Sequence, residues 1–158
     1  MLKITIISVG QMKESYFAQA IAEYEKRIGA YAEVRDINLK EENLGAARAG
    51  DVAAALAAEA KRILEVIPPR AYKVALCVEG KSLSSAQLAD LIAAARDGVG
   101  ELCFIIGSSH GLDPSVKKAC DFRLSVSALT FPHRLMRVIL TEAIYRGLSI
   151  LAGTSYHK

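Results

Sequence analysis

Hydrophobic and polar positions change period several times along this chain. Leu2 to Val9 is an apolar run ended by Gly10, with the length and composition of a strand. Phe17, Ile21, Tyr24 and Ile28 then recur at helical spacing, which predicts a helix from about Glu14 to Ile28 with Gly29 as its stop. A weaker strand pattern covers about Glu33 to Leu39, and the polar, glycine-containing stretch Glu41 to Gly50 reads as a mobile loop. An alanine-rich helix is predicted from about Asp51 to Val66, with Val52, Leu56, Ile63 and Ile67 inward and Pro68-Pro69 as terminator. Lys73 to Val78 is nearly all apolar, as suits a parallel strand covered on both faces.

The second half repeats the alternation. Ser84-Ser85-Ala86-Gln87 has the form of a capping box, opening a helix with Leu88, Leu91 and Ala95 inward and Gly98 at its end. Glu101 to Ile106 is the fourth strand and runs into Gly107-Ser108-Ser109-His110-Gly111. Asp113-Pro114 supplies a cap and a first residue for a short helix, about Pro114 to Ala119. The fifth strand, about Phe122 to Val126, leads through the small-residue loop Ser127 to Phe131 into a helix opened by Pro132, with Thr130 or Phe131 as its cap. That helix has apolar residues on two sides: Leu135, Val138 and Ile139 on one, Met136, Leu140 and Ile144 on the other. A single buried stripe would be narrower. The second set is therefore predicted to meet a partner chain, which makes the protein a homodimer. Arg134, Arg137, Thr141 and Tyr145 form a polar stripe on the same helix, and Glu142 and Arg146 are an i,i+4 pair.

Five strands alternating with five helices predict an α/β domain over residues 1–158, with a mainly parallel sheet flanked by helices. Ligands of such sheets bind beyond the C-terminal strand ends. Three loops qualify: those after Leu76 to Val78, at Gly107 to Gly111, and at Ser127 to Phe131.

Composition narrows the class. Residues are 52% hydrophobic and 23% charged, as in a compact domain, and no apolar run approaches the ~20 residues of a membrane-spanning helix. The chain opens directly on a strand pattern without a leader-like stretch, so a cytoplasmic protein is expected. Cys77, Cys103 and Cys120 are odd in number and widely spaced, and His110, His133 and His157 are scattered, so no metal site is expected. The net charge of +3 is concentrated at the end: from Leu124 onward there are four Lys or Arg against one acidic residue, while the remainder holds 16 of each sign. This local excess beside a loop points to an anionic or polar ligand. It is too small to identify a dedicated nucleic-acid-binding domain.

Gly107 to Gly111 matches G-x-S-x-G, the nucleophile elbow of serine hydrolases, with Ser109 as nucleophile and His133 or His157 as base. However, the next helix starts only at Asp113-Pro114, and an elbow turns almost directly into its helix. The plainer reading is a tight glycine turn. The dinucleotide and Walker patterns are absent, which disfavours NAD and ATP. What the loops offer is a cradle of backbone groups for a flat polar ligand.

Three sets of residues carry a resemblance. The first is Lys3-Ile4-Thr5-Ile6, Val9-Gly10 and Tyr24-Glu25-Lys26-Arg27. The second is Gly80-Lys81, Ile106-Gly107 and Gly111-Leu112. The third is Leu124-Ser125, Leu129-Thr130-Phe131-Pro132-His133, Arg137-Val138, Glu142, Tyr145-Arg146 and Tyr156-His157-Lys158. In this order, over the whole chain, they resemble the bacterial large-subunit rRNA pseudouridine-N3 methyltransferases of the SPOUT class. The resemblance implies S-adenosyl-L-methionine as methyl donor, N3 of a pseudouridine in 23S rRNA of the ribosome as acceptor, a homodimer and a C-terminal trefoil knot. It implies cofactor contacts at Leu76, Gly107 and the run Val126, Ser127, Ala128, Leu129, Thr130 and Phe131. Arg137, Tyr156, His157 and His133 are the catalytic candidates, with Arg137 expected to point toward the cofactor loop and the tail to fold over the cofactor. Ser108 stands where the family usually has a second glycine.

Overall fold

The computed structural model describes residues 1–43 and 49–158. Its elements follow the predicted order: β1 (Leu2–Val9), α1 (Ser15–Ile28), β2 (Ala32–Leu39), α2 (Ala49–Val66), β3 (Tyr72–Ser82), α3 (Ser85–Asp97), β4 (Glu101–Ile106), α4 (Pro114–Ala119), β5 (Phe122–Ser125) and α5 (His133–Leu151). Of the predicted loop at 41–50, residues 44–48 lie outside the described residues, and 49–50 already belong to α2.

All five strands are parallel, in the order β2-β1-β4-β3-β5. Strand alternation divides the core between two faces. Ile4, Ile6, Leu102 and Phe104 pack with Ile28, Ile92, Leu140 and Ile144 on the side of α1, α3 and α5. Ile7, Val9, Cys103 and Ile105 pack with Ala60, Ile63 and Val116 on the side of α2 and α4. The two central strands are buried along almost their whole length, which explains their unbroken apolar sequences.

Two local features shape the functional end. Leu76 and Lys81 of β3 both stand opposite Leu124 of β5, so Cys77 to Gly80 bulge out of the sheet. Gly80 allows this. A Cβ there would lie 2.7 Å from the carbonyl carbon of Leu124. The capping box at α3 forms as predicted: Gln87 N–H donates to Ser84 Oγ (3.1 Å) and Ser84 N–H to Gln87 Oε1 (2.8 Å).

The last helix departs from expectation twice. Pro132 is itself the N-cap, and Met136 N–H donates to its carbonyl at 2.9 Å. Thr130 and Phe131 do not cap the helix; they belong to the wall of a cavity. The apolar faces are also assigned the other way round. Leu140 and Ile144 are fully buried in the core of this same chain, with Met136 packed beside them. Leu135, Val138 and Ile139 are the half-exposed side. The reason is that α5 packs against both α1 and α3 as well as the sheet. Gly147 brings α3 close, since a Cβ there would sit 2.8 Å from Ile92 Cδ1.

Candidate functional site

The three strand-end loops converge on one cavity of about 680 Å³. The β3 bulge gives one wall, the loop from Ile106 to Leu112 the floor, and Leu124 to Pro132 the opposite wall. His133 and Met136 at the start of α5 and Lys117 of α4 complete it. The volume lies within the range of small-molecule sites, roughly 300–1,000 Å³. Leu76, Val78, Ile106 and Phe131 supply apolar surface; Ser108, Ser109, His110 and Thr130 supply polar edges. Every residue expected at the cofactor lines this cavity except Ala128.

Local hydrogen bonds hold these walls. Ser125 Oγ donates to the Ser127 carbonyl (3.2 Å), and Ser127 Oγ accepts from Leu129 N–H (3.0 Å). The small-residue loop thus folds on its own side chains. The chain itself requires Gly107: a Cβ there would be 2.2 Å from the Gly111 carbonyl oxygen. Gly111 has φ of 91° with open space where a Cβ would point, so its glycine serves the left-handed turn.

Serine at position 108 has a partner. Ser108 Oγ donates to Glu59 Oε1 of α2 at 2.9 Å, and Glu59 Oε2 accepts from Glu42 N–H at 3.0 Å. Both side chains are buried. Next to it, Ser109 Oγ donates to Glu41 Oε1 at 3.0 Å. Ser109 therefore serves as a tether for a carboxylate. His133 Nε2 has no hydrogen-bond partner, and α4 begins only at Pro114, so the elbow geometry of a hydrolase is not formed.

Charge at the rim is paired. Lys117 and Glu79 form an ion pair, and the Lys117 ammonium holds the Glu79 carboxyl below its usual range. Burial lowers the His133 imidazole, partly opposed by Glu41, Glu14 and Glu59, so the neutral ring is favoured. Burial raises the Cys77 thiol. Among the described residues no three His, Cys, Asp or Glu side chains come together in a metal-binding group.

The other catalytic candidates lie elsewhere in this chain. Arg137 does not line the cavity; its Nη2 is 3.8 Å from Asp36 Oδ1, with the side chain only 11% exposed. This corrects the expected orientation. The stripe that begins with Arg134 faces α1 and β2: Arg134 Nε donates to the Gln11 carbonyl (2.9 Å) and Tyr145 packs on Tyr24. Beside Arg137, Glu25 is pushed up to about 8 by burial first, then by its hydrogen bond to and repulsion from Asp36. Nor does the tail fold over the cavity of its own chain. Tyr156 Oη donates to Glu142 Oε1 (3.1 Å), its ring lies tilted against Tyr145 with centroids 4.6 Å apart, and His157 Nδ1 is 3.2 Å from Arg146 Nη1. Between Met136 at the cavity and Arg146 at the tail, α5 rises about 15 Å.

A family model described as "Predicted SPOUT methyltransferase" matches residues 2–157. The chain belongs to the SPOUT methyltransferase family. Curated relatives agree: "Ribosomal RNA large subunit methyltransferase H" of Bifidobacterium adolescentis is 44% identical over 159 residues, covering 99% of this chain and 100% of that one. The proteins of the same name from Caldicellulosiruptor bescii and Bacillus pumilus are each 43% identical, covering 98% and 99% of this chain and 99% and 100% of their own. Among solved structures, a probable methyltransferase from Bordetella pertussis Tohama I superposes with a TM-score of 0.59 over 92% of this chain and 93% of that one. Its 16% identity speaks for the fold alone. Sequence reasoning reached the SPOUT loops and missed Glu59, Glu41 and the Glu25–Asp36 pair behind Arg137.

Proposed function

We propose that this SPOUT methyltransferase transfers a methyl group from S-adenosyl-L-methionine to N3 of a pseudouridine in 23S rRNA of the large ribosomal subunit, acting in the cytoplasm on the assembled ribosome. The observation that carries this reading is the single cavity formed by the three strand-end loops. They are the same loops whose sequence resembles the family's cofactor site. A C-terminal trefoil knot belongs to the same proposal.

The donor set suits this cofactor. Leu76, Val78, Ile106 and Phe131 offer apolar contact to an adenosine, and the backbone of Gly107 and of Val126 to Phe131 offers hydrogen bonds to its edges. Bound there, S-adenosyl-L-methionine would supply an electrophilic methyl group. The chain's residues have three tasks: to seat it, to orient the uracil ring, and to accommodate the N3 proton and the charge that gathers on the flanking carbonyl oxygens. A fixed cation or N–H donor lowers the barrier where charge develops. Arg137, Tyr156 and His157 are assigned to the acceptor side, with His133 at the cavity.

The arrangement along α5 sets how these groups reach a site. In one chain, Tyr156 and His157 contact the end of α5 remote from the cavity. The half-exposed side formed by Leu135, Val138 and Ile139 is the surface proposed for a homodimer. The assignment of the tail to the acceptor requires a second copy seated there to carry its own tail toward this cavity. The test is incubation of the protein with isotopically labelled S-adenosyl-L-methionine and whole ribosomes lacking the modification. Mass spectrometry should then find one labelled N3-methylpseudouridine in 23S rRNA; label on another base, or none, would reject the reading.

A further inference from the structure

Two carboxylates stand behind the lining of the cavity and have no part in the methyl-transfer reading. Glu59, on α2, is 3% exposed and sits one hydrogen bond behind Ser108, a residue of the cavity floor. Glu41, just after β2, reaches the neighbouring Ser109. Its second oxygen lies near Gly10 and His133: a Cβ on Gly10 would be 3.3 Å from Glu41 Oε2 and 2.9 Å from His133 Nε2. Two consecutive serines of one loop thus hold two carboxylates, from two different elements, against the same wall.

Among the described residues neither carboxylate forms an ion pair. Among the described residues, nearby cations are engaged elsewhere: Arg62 with Glu42, Arg134 with Glu14 and Lys117 with Glu79. The partners of Glu59 are two dipoles, the Ser108 hydroxyl and the Glu42 amide. The field of both acids reaches the cavity lining, since each favours protonation of His133 even though burial of that ring dominates.

We infer that Glu41 and Glu59, positioned by Ser109 and Ser108, are specificity residues that make the cavity prefer a positively charged sulfonium over the neutral thioether left after methyl transfer. This rests on the reading that the cavity holds the methyl donor. The two ligands share their adenosine and amino-acid ends and differ by one methyl group and one unit of charge at sulfur. A negative field near the sulfur is therefore the term that separates them. It strengthens binding of the sulfonium before transfer and leaves that of the neutral thioether nearly unchanged.

The test is calorimetric affinity of the full chain for S-adenosylmethionine, S-adenosylhomocysteine and sinefungin, whose amine places a positive charge near the sulfonium position. Glu41→Gln and Glu59→Gln keep side-chain size and hydrogen bonding while removing charge. Each is expected to weaken S-adenosylmethionine and sinefungin about tenfold, the order expected for one unit charge removed near another in a partly desolvated site. S-adenosylhomocysteine should stay within about twofold, so that the ratio of affinities changes. Glu41 is at the surface, so its variant remains informative if Glu59→Gln fails to fold. Equal losses for all three ligands, or none for any, would overturn the inference while leaving the cofactor reading intact. A parent protein that binds none of the three would overturn both.

Discussion

The side of α5 that faces the core decides what its substitutions do. Leu140 has no exposed surface and packs in the cluster of Ile92, Phe104 and Ile144. Leu140→Ala removes that contact where the surroundings cannot collapse. The sheet lies on one side, and α3 is held close through Gly147. Transfer of a buried Leu accounts for about 1.5–3 kcal/mol, and the cavity left behind brings the expected loss to about 2–5 kcal/mol. The assay is urea unfolding at matched protein concentrations, with sedimentation in native buffer. Leu140→Ala should lower the midpoint with an unchanged slope and leave the association state of the folded protein as it was. Val138→Glu places a charge on the half-exposed side and should do the converse, giving folded monomers of nearly parental helix content. Stable monomers from Leu140→Ala with less than about 1 kcal/mol lost, or unaltered association of Val138→Glu, would refute the assignment of faces.

Three further outcomes are expected. Arg137→Ala and deletion of Tyr156 to Lys158 should each cut ribosome methylation at least about tenfold, or ~1.4 kcal/mol, with cofactor affinity nearly unchanged for the deletion; full activity of the truncated protein removes the tail from the acceptor side. Glu25 is raised to about 8 in the folded chain, so its contribution to stability is present at low pH and is lost as pH climbs from the ordinary carboxylate range through about 8. Melting temperature should fall over that window in the parent and more weakly in Glu25→Gln, and identical slopes would count against the raised Glu25 carboxyl. Gly107→Val should abolish cofactor binding and lower the melting temperature together, because its Cβ would lie 2.2 Å from the Gly111 carbonyl oxygen; loss of binding at parental stability would mean that the ligand alone needs the glycine.

Where a signal is local, the sequence carried it. The apolar runs of β1 and β4 mark strands covered on both faces, and Ser84 with Gln87 closes its box within one turn. The three candidate loops followed from strand order alone, since they are C-terminal ends of parallel strands that the sheet brings together. Glu59 shows the limit. Its partner Ser108 lies 49 positions away, and no pattern links them. A clue was nevertheless present: Glu59 is four residues from both Ala55 and Ile63, on the buried stripe of α2. A carboxylate at a core position must find hydrogen bonds, because burying it unpaired costs far more than a helix can supply.

The faces of α5 were illegible for a different reason. Period identifies which residues share a stripe, but which neighbour covers each stripe is a tertiary fact. Leu135, Val138 and Ile139 look as apolar as Leu140 and Ile144, and only the packing of α1 and α3 separates them. The cationic stripe carries the same ambiguity. Arg134 and Arg137 suggested a solvated or ligand-facing side, yet Glu14 and Asp36 lie opposite them on neighbouring elements. Arg137 thus faces the exposed Asp36, whose neighbour Glu25 is pushed up to about 8, mainly by burial. If Arg137 acts on an acceptor base, it does so where it stands, and the base must come to the α1–α5 side of the molecule. That side also carries Tyr145, Tyr156 and His157, so under the proposed roles one placement of the acceptor would account for all the residues set apart from the cavity, with the methyl donor presented from a second copy.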